Sequence, residues 1–207
     1  MPDIDYTLYV FVAALVVLSL MAGFDTARKK KRRRQAWKAL SSRHDWGFSE
    51  RGNTLEVQGL FRGQQLSLLT ERRRHRDEHA VATVLRLELS AMPPEPTVES
   101  EGLGDRFLKL FGHGDEEVGD EELDAALDMK RVTPETRALL RNPRVREQLL
   151  ALHRTFKRFS IEAGLLEAEQ RGIPDTVEAL EALLAPALGL ATALQEAVNG
   201  KREELGS

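Results

Sequence analysis

The chain has no cysteine in 207 residues. That excludes disulfide scaffolding, thiol catalysis and thiolate metal sites, and leaves the redox compartment open. The common catalytic signatures are missing as well: there is no G-x-S-x-G elbow, no H-E-x-x-H helix and no phosphate-cradling G-x-x-x-x-G-K. The net charge of -3 rules against a uniformly basic domain, so nucleic acid is not an expected partner. No internal repeat is convincing. With no signature for a cofactor or a metal, no cofactor, catalytic residue or metal ligand is assigned. At 30% charged and 42% hydrophobic the composition is that of an ordinary globular protein.

Against this background one stretch stands out. Between Tyr6 and Phe24 the only polar side chains are Thr7, Tyr9 and Ser19. Nineteen helical residues span roughly 28 Å, close to the hydrocarbon thickness of a bilayer. Arg28, Lys29, Lys30, Lys31, Arg32, Arg33 and Arg34 follow at once, whereas Asp3 and Asp5 precede the run. A secretory signal carries its positive charge before a shorter apolar core, and Leu20 to Asp25 makes a poor cleavage site. The reading is a signal-anchor in a bacterial inner membrane, single-pass, with the N-terminus outside and the C-terminal bulk cytoplasmic. The organisation expected is an extracytoplasmic N-terminus over 1–5, a transmembrane helix over 6–24 and a basic juxtamembrane helical stalk over 25–44. A cytoplasmic domain over 45–200 and a disordered tail over 201–207 complete it. The roughly 170 residues beyond the span suit one domain.

The domain reads as α+β, an antiparallel sheet covered by helices with a long C-terminal helix. Ala36, Trp37 and Leu40 share one face of the stalk. Strands are expected over 46–50, 54–61, 64–71 and 80–90, separated by Arg51-Gly52-Asn53, Arg62-Gly63 and a polar hairpin loop over 71–79. In the last strand Val81, Thr83, Leu85, Leu87 and Leu89 alternate towards a core. Pro93, Pro94 and Pro96 break regular structure before a short strand over 97–101, and Leu103 to Phe111 has the spacing of an amphipathic helix. Asp120 is a candidate N-cap for a helix continuing through Leu127, and Thr133-Pro134 and Asn142-Pro143 pair a cap with proline at the first helical position. A hairpin across Ala163-Gly164 and a helix from about Pro174 to Val198 close the chain. That helix carries a heptad-like seam, Val177, Leu180, Leu184, Ala187, Ala191, Leu194 and Val198. It is read as packing on the sheet, because Pro186 and Gly189 interrupt the seam and Leu183, Leu188 and Leu190 widen it.

Three groups of charged residues are candidate sites. Arg28 to Arg34 would meet the membrane interface. Arg72, Arg73, Arg74 and Arg76 form a second basic patch at the tip of the expected loop, suited to lipid phosphate or an acidic partner. Asp120 and Asp124 are the first acid pair to examine for general acid–base work, although capping explains them more simply. His75 and His79 have metal-like spacing but no evident third ligand.

Gly119-Asp120-Glu121-Glu122-Leu123-Asp124, followed by a short strand, Leu139-Leu140 and Val145 to Leu150, resembles a family of bacterial single-pass membrane-anchored proteins. Members carry a G-D-x-x-F-D motif after an N-terminal span and a W-x-x-L stalk like Trp37 to Leu40. Leu123 stands where that motif has an aromatic. The resemblance implies an architecture and no activity. Two function classes follow from the residues: a membrane-anchored adaptor binding a protein partner, with a homo-oligomer included, or a membrane-tethered enzyme or small-ligand binder using a sheet–helix cleft. Anionic-lipid sensing through the basic patches is a further alternative.

Overall fold

A single helix, α1 (Asp3–His44), opens the chain and runs from the apolar N-terminal segment into the folded domain. The computed structural model describes the backbone of residues 3–75, 78–100, 117–156 and 158–206, and the side chains of 9–11, 26–72, 81–100, 117–156 and 158–200. Most of the expected transmembrane segment 6–24 and the expected amphipathic helix over Leu103 to Phe111 lie outside the described side chains or residues. Helix α1 stops at Asp45, whose left-handed backbone (φ 56) lets the Trp46 N–H reach back to the Ser41 carbonyl at 2.8 Å, a Schellman-type end.

Four strands then form a meander: β1 (Gly47–Arg51), β2 (Thr54–Phe61), β3 (Gln64–His75) and β4 (Glu78–Glu88). After the proline-rich loop come β5 (Thr97–Ser100), α2 (Glu121–Ala126), β6 (Leu127–Lys130), α3 (Pro134–Leu140) and α4 (Pro143–Thr155). The chain ends with β7 (Arg158–Glu162), β8 (Leu165–Arg171) and α5 (Val177–Gly206). The strands make one sheet of eight in the order β1-β2-β3-β4-β8-β7-β5-β6, every pair antiparallel. Two of its hairpins close with two-residue loops in which both residues have positive φ, Arg62 (51) with Gly63 (81) and Ala163 (50) with Gly164 (72). That geometry matches the twist of the flanking strands.

One contiguous core joins the inward face of the sheet to the helices. Leu55, Val57, Leu66, Leu68, Leu85, Leu87, Leu166, Phe159 and Ile161 come from the strands, and Leu149, Leu152, Leu180, Leu184, Ala187, Ala191 and Leu194 from α4 and α5. The heptad-like seam of α5 is thus largely consumed inside the domain. Residues 177–200 are apolar and long enough to cross a membrane by length and composition, yet half of that window is buried, in keeping with a core helix. The stalk also enters this core: Ala36, Trp37 and Leu40 are buried, so the packed domain begins within the last turns of α1.

Several boundaries differ from the sequence reading. The polar stretch after Glu71 is not a loop: Arg72, Arg73 and Arg74 are strand positions paired with Val81, Ala80 and His79, and Arg76 lies outside the described residues. Charge had suggested a loop, but cross-strand hydrogen bonding continues regardless of side-chain polarity. Helix α2 ends at Ala126, and Leu127 takes up extended backbone (φ -128, ψ 142) to start β6. Helix α5 continues to Gly206, into the segment expected to be a disordered tail. In β4, Thr83, Leu85 and Leu87 are buried as the alternation requires, as is Leu89 just past its end, but Ala82 and Val84 of the opposite face are buried too, and Val81 is 38% exposed.

Candidate functional site

The basic block of α1 does not behave as one surface. Lys30 Nζ donates to Asn53 Oδ1 at 3.4 Å, Arg34 Nε pairs with Glu50 at 2.8 Å, and Lys38 Nζ sits 5.6 Å above the Phe48 ring. Successive turns of α1 thus lie along β1, fixing the direction of the sheet relative to the helix. Arg33 is half-buried, and Arg28, Lys29, Lys31 and Arg32 are exposed. An exposed pair such as Arg34–Glu50 contributes less than about 1 kcal/mol. What holds the helix to the domain is burial: Trp37 is 0% exposed and its indole N–H donates to the Pro174 carbonyl at 3.2 Å.

The acidic motif is a structural cap. Asp124 accepts from the N–H groups of Val118, Gly119 and Asp120 at 2.8, 3.0 and 3.0 Å. Asp120 accepts the Leu123 N–H at 3.1 Å, the expected N-cap of α2, and also receives Arg146 Nε at 2.6 Å. Arg146 bridges onward to Glu122. Gly119 has a φ of 83, and a Cβ there would lie 2.5 Å from Arg141 Nη2. Arg141 in turn donates through Nε to the Val118 carbonyl at 2.7 Å. The motif therefore brings Asp120 and Asp124 together, but all four carboxylate oxygens are engaged in holding the turn. The sequence reading missed Arg141 and Arg146, which lie on distant helical turns and carry no local motif.

The Asp120 carboxyl is held below its usual range, foremost by Arg146 and also by the Leu123 N–H, against an opposing effect of burial. A carboxyl whose folded pKa is depressed contributes stability that is complete above the unfolded value and is lost as pH falls through the folded one. Asp120→Asn, which keeps a capping side chain, should lower the denaturant midpoint at pH 7. The gap to wild type should close as pH drops below about 3.9. Asp120→Ala, which also removes the cap, should cost about 1 kcal/mol at neutral pH. A pH-independent gap for Asp120→Asn would show that the ion pair contributes nothing.

On the face of the sheet opposite the core, Ala82 and Val84 are buried, while towards the other end the described side chains reach solvent. Glu56, Gln58, Leu60, Gln65, Ser67, Arg86, Glu88, Leu165 and Glu167 are exposed or half-buried there. Arg86 ties three strands together, pairing with Glu71 at 3.0 Å and Glu167 at 2.8 Å. Both acids hold its guanidinium protonated, above its ordinary range. A shallow depression of about 500 Å³ lies here, lined in part by Leu60, Gln65, Arg86 and Leu165. Leu60 is 63% and Leu165 43% exposed. A second depression, about 410 Å³, lies between α4 and α5 beside Phe61 and Leu188.

Neither depression is lined by Asp120, Asp124 or a histidine. His44 stacks on Trp46 with centroids 4.4 Å apart. His75 and His79 lie near the end of the β3–β4 hairpin, and His113 is outside the described residues. Among the described residues no three His, Asp or Glu side chains converge as a metal site would require.

No protein-family model matches the chain, and no curated protein matches it. Among solved structures, the chain is similar to the crystal structure of the mycobacterial trehalose monomycolate transport factor A, TtfA. That likeness has a TM-score of 0.44 and 13% identity, and it covers 80% of this chain and 94% of that one.

Proposed function

We propose that the protein is a membrane-anchored adaptor: an α+β domain, held at the cytoplasmic face of a bacterial inner membrane by residues 6–24, that binds a protein partner. The observation carrying this reading is on the outer sheet face, where Leu60 and Leu165 remain exposed in one depression above a filled core. An enzyme or small-ligand reading calls for a recess converging on titratable groups. The depression has Arg86 and Glu88 at its rim, but Arg86 is already satisfied by Glu71 and Glu167. Exposed leucines rimmed by polar side chains suit an interface. Burial of the stalk helix in the domain would pass the anchor's position directly to that face.

The reading is tested by purifying the intact protein in mild detergent. A stoichiometric companion is expected, retained by wild type and lost from the double variant Leu60→Asp/Leu165→Asp, with the thermal midpoint shifted by less than a few degrees because both side chains are solvent-facing. A companion that stays with the double variant would remove the outer face from consideration. A reporter fused after Ser207 that is active only outside the cell would overturn the cytoplasmic placement.

A further inference from the structure

The β3–β4 hairpin is longer than the sheet that supports it. Strand β2 begins at Thr54, two residues before Glu56, which pairs with Leu69. Strand β3 therefore passes the start of β2 at Glu71. On the other side β8 ends with Arg171, opposite Ala82, and Ala82 pairs with Glu71. Both neighbours end at one level. Beyond it β3 and β4 continue through the pairs Arg72–Val81, Arg73–Ala80, Arg74–His79 and His75–Glu78, with no further strand beside them among the described residues. The Gly172 N–H, donating to the Val81 carbonyl at 3.0 Å, marks where lateral support stops. A two-stranded ribbon alone is marginally stable in water, so one that extends past its sheet is expected to rest on something.

The direction of the ribbon identifies the surface. Going from Lys38 to Arg34 to Lys30, back along α1 towards its N-terminus, the partners advance from Phe48 to Glu50 on β1 and then to Asn53 in the turn that follows it. Strand β1 thus points towards the anchor. Strand β3, antiparallel to β2 which is antiparallel to β1, points the same way. Four residues beyond Glu71 extend the ribbon by about 13 Å. From Lys30 back to Phe24, where the apolar run ends, α1 rises about 9 Å. A ribbon running alongside α1 would thus end near the boundary between the basic block and the apolar segment. Residues 72–79 hold four arginines, Arg72, Arg73, Arg74 and Arg76, against two acids, Asp77 and Glu78, a net charge of +2, and the last acid before them, Glu71, is already bound by Arg86. Val81, paired with Arg72, is an aliphatic side chain 38% exposed. Basic and apolar groups side by side suit the headgroup layer of an anionic bilayer.

We propose that this ribbon is a second membrane contact, its arginines binding anionic lipid headgroups beside the anchor. The inference rests on the anchored placement above. It makes the attachment two-point: α1 fixes the distance of the domain, and the ribbon fixes its rotation about the helix, which decides how the outer sheet face is presented. The linkage depends on lipid charge, because the attraction is screened within about 10 Å at ordinary salt.

Because the chain lacks cysteine, His75→Cys creates a unique site for a nitroxide label. The full-length labelled protein is placed in nanodiscs of phosphatidylcholine, with or without phosphatidylglycerol, and exposure of the label to an aqueous relaxation agent is measured. Shielding is expected only with phosphatidylglycerol and should reverse as salt is raised, a readout that needs no substitution in the basic patch. Arg72→Gln/Arg73→Gln/Arg74→Gln should reduce the ratio of docked to free ribbon by about a hundredfold, at roughly fivefold per arginine. Protein that enters both discs but keeps its label equally exposed would overturn the ribbon contact and leave the anchor standing. Protein that enters neither would overturn the anchor and this inference with it. Shielding seen only when cell extract is added, in the absence of anionic lipid, would assign the arginines to an acidic protein and overturn the lipid contact.

Discussion

Trp37→Ala should lower the thermal midpoint of the full-length protein in detergent by roughly 6–20 °C, from a loss of about 3–5 kcal/mol. Trp37 is fully buried at the contact of α1 with the rest of the domain, and its indole N–H is satisfied by the Pro174 carbonyl at 3.2 Å. Truncation removes the largest side chain that joins stalk to domain and orphans that carbonyl. A typical domain is stable by only about 5–15 kcal/mol, so the loss is a large fraction of the whole. Circular dichroism measures the unfolding, and Trp46, the other of the chain's two tryptophans, reports the same transition by fluorescence. A midpoint within about 2 °C of wild type would mean that the helix is tethered to the domain without being packed into it. The idea that the anchor passes its position to the sheet would then fail.

Gly59→Ala is the second large effect expected, and its cause is steric. The backbone of Gly59 is not left-handed; the space beside it is already filled. A Cβ there would lie 2.0 Å from Cδ1 and 2.4 Å from Cγ of Trp46. The ring cannot simply swing aside, because it stacks on His44 at 4.4 Å and its N–H donates to the Leu60 carbonyl at 3.1 Å. Overpacking of this kind costs about 1–3 kcal/mol, and here it must also disturb the end of α1 at Trp46. A double-mutant cycle isolates the cause. Gly59→Ala should destabilise wild type strongly and should cost only a few tenths of a kcal/mol in a Trp46→Ala background, where the clash is gone. Equal costs in both backgrounds would place the penalty in the strand backbone.

The sequence carried the elements whose signals are local. Thr133 and Asn142 cap α3 and α4 as their pairing with proline implies, and Asp120 caps α2. Alternation in β7 put Phe159 and Ile161 inside, where they are buried. The two-residue hairpin at Ala163-Gly164 fell where composition put it. The structure departs from the sequence reading where composition stands in for geometry. The run Arg72 to Arg74 is polar enough for a loop, yet strand pairing extends through it, since backbone hydrogen bonds do not depend on side-chain charge. Leu127 continues the apolar pattern of α2 but belongs to β6, because the chain must turn to pair with Ser100.

The acid pair shows the same division at the level of a site. Sequence placed Asp120 and Asp124 on one turn; it could not show that three backbone N–H groups and Arg146 occupy their oxygens. Arg146 is 26 residues away from Asp120 along the chain, and spacing rules reach only about one helical turn.

By itself, then, the sequence determined an apolar N-terminal run with cationic flank, the α+β class and most of the caps, because each depends on residues within a few positions of one another. Tertiary structure alone decided that the last turns of the stalk are core, that Leu60 and Leu165 stay exposed on the outer sheet face, and that the β3–β4 ribbon continues past its neighbouring strands. Those facts follow from strand order and from which helix lies along which strand, and pairing between distant segments is fixed by burial across the whole core.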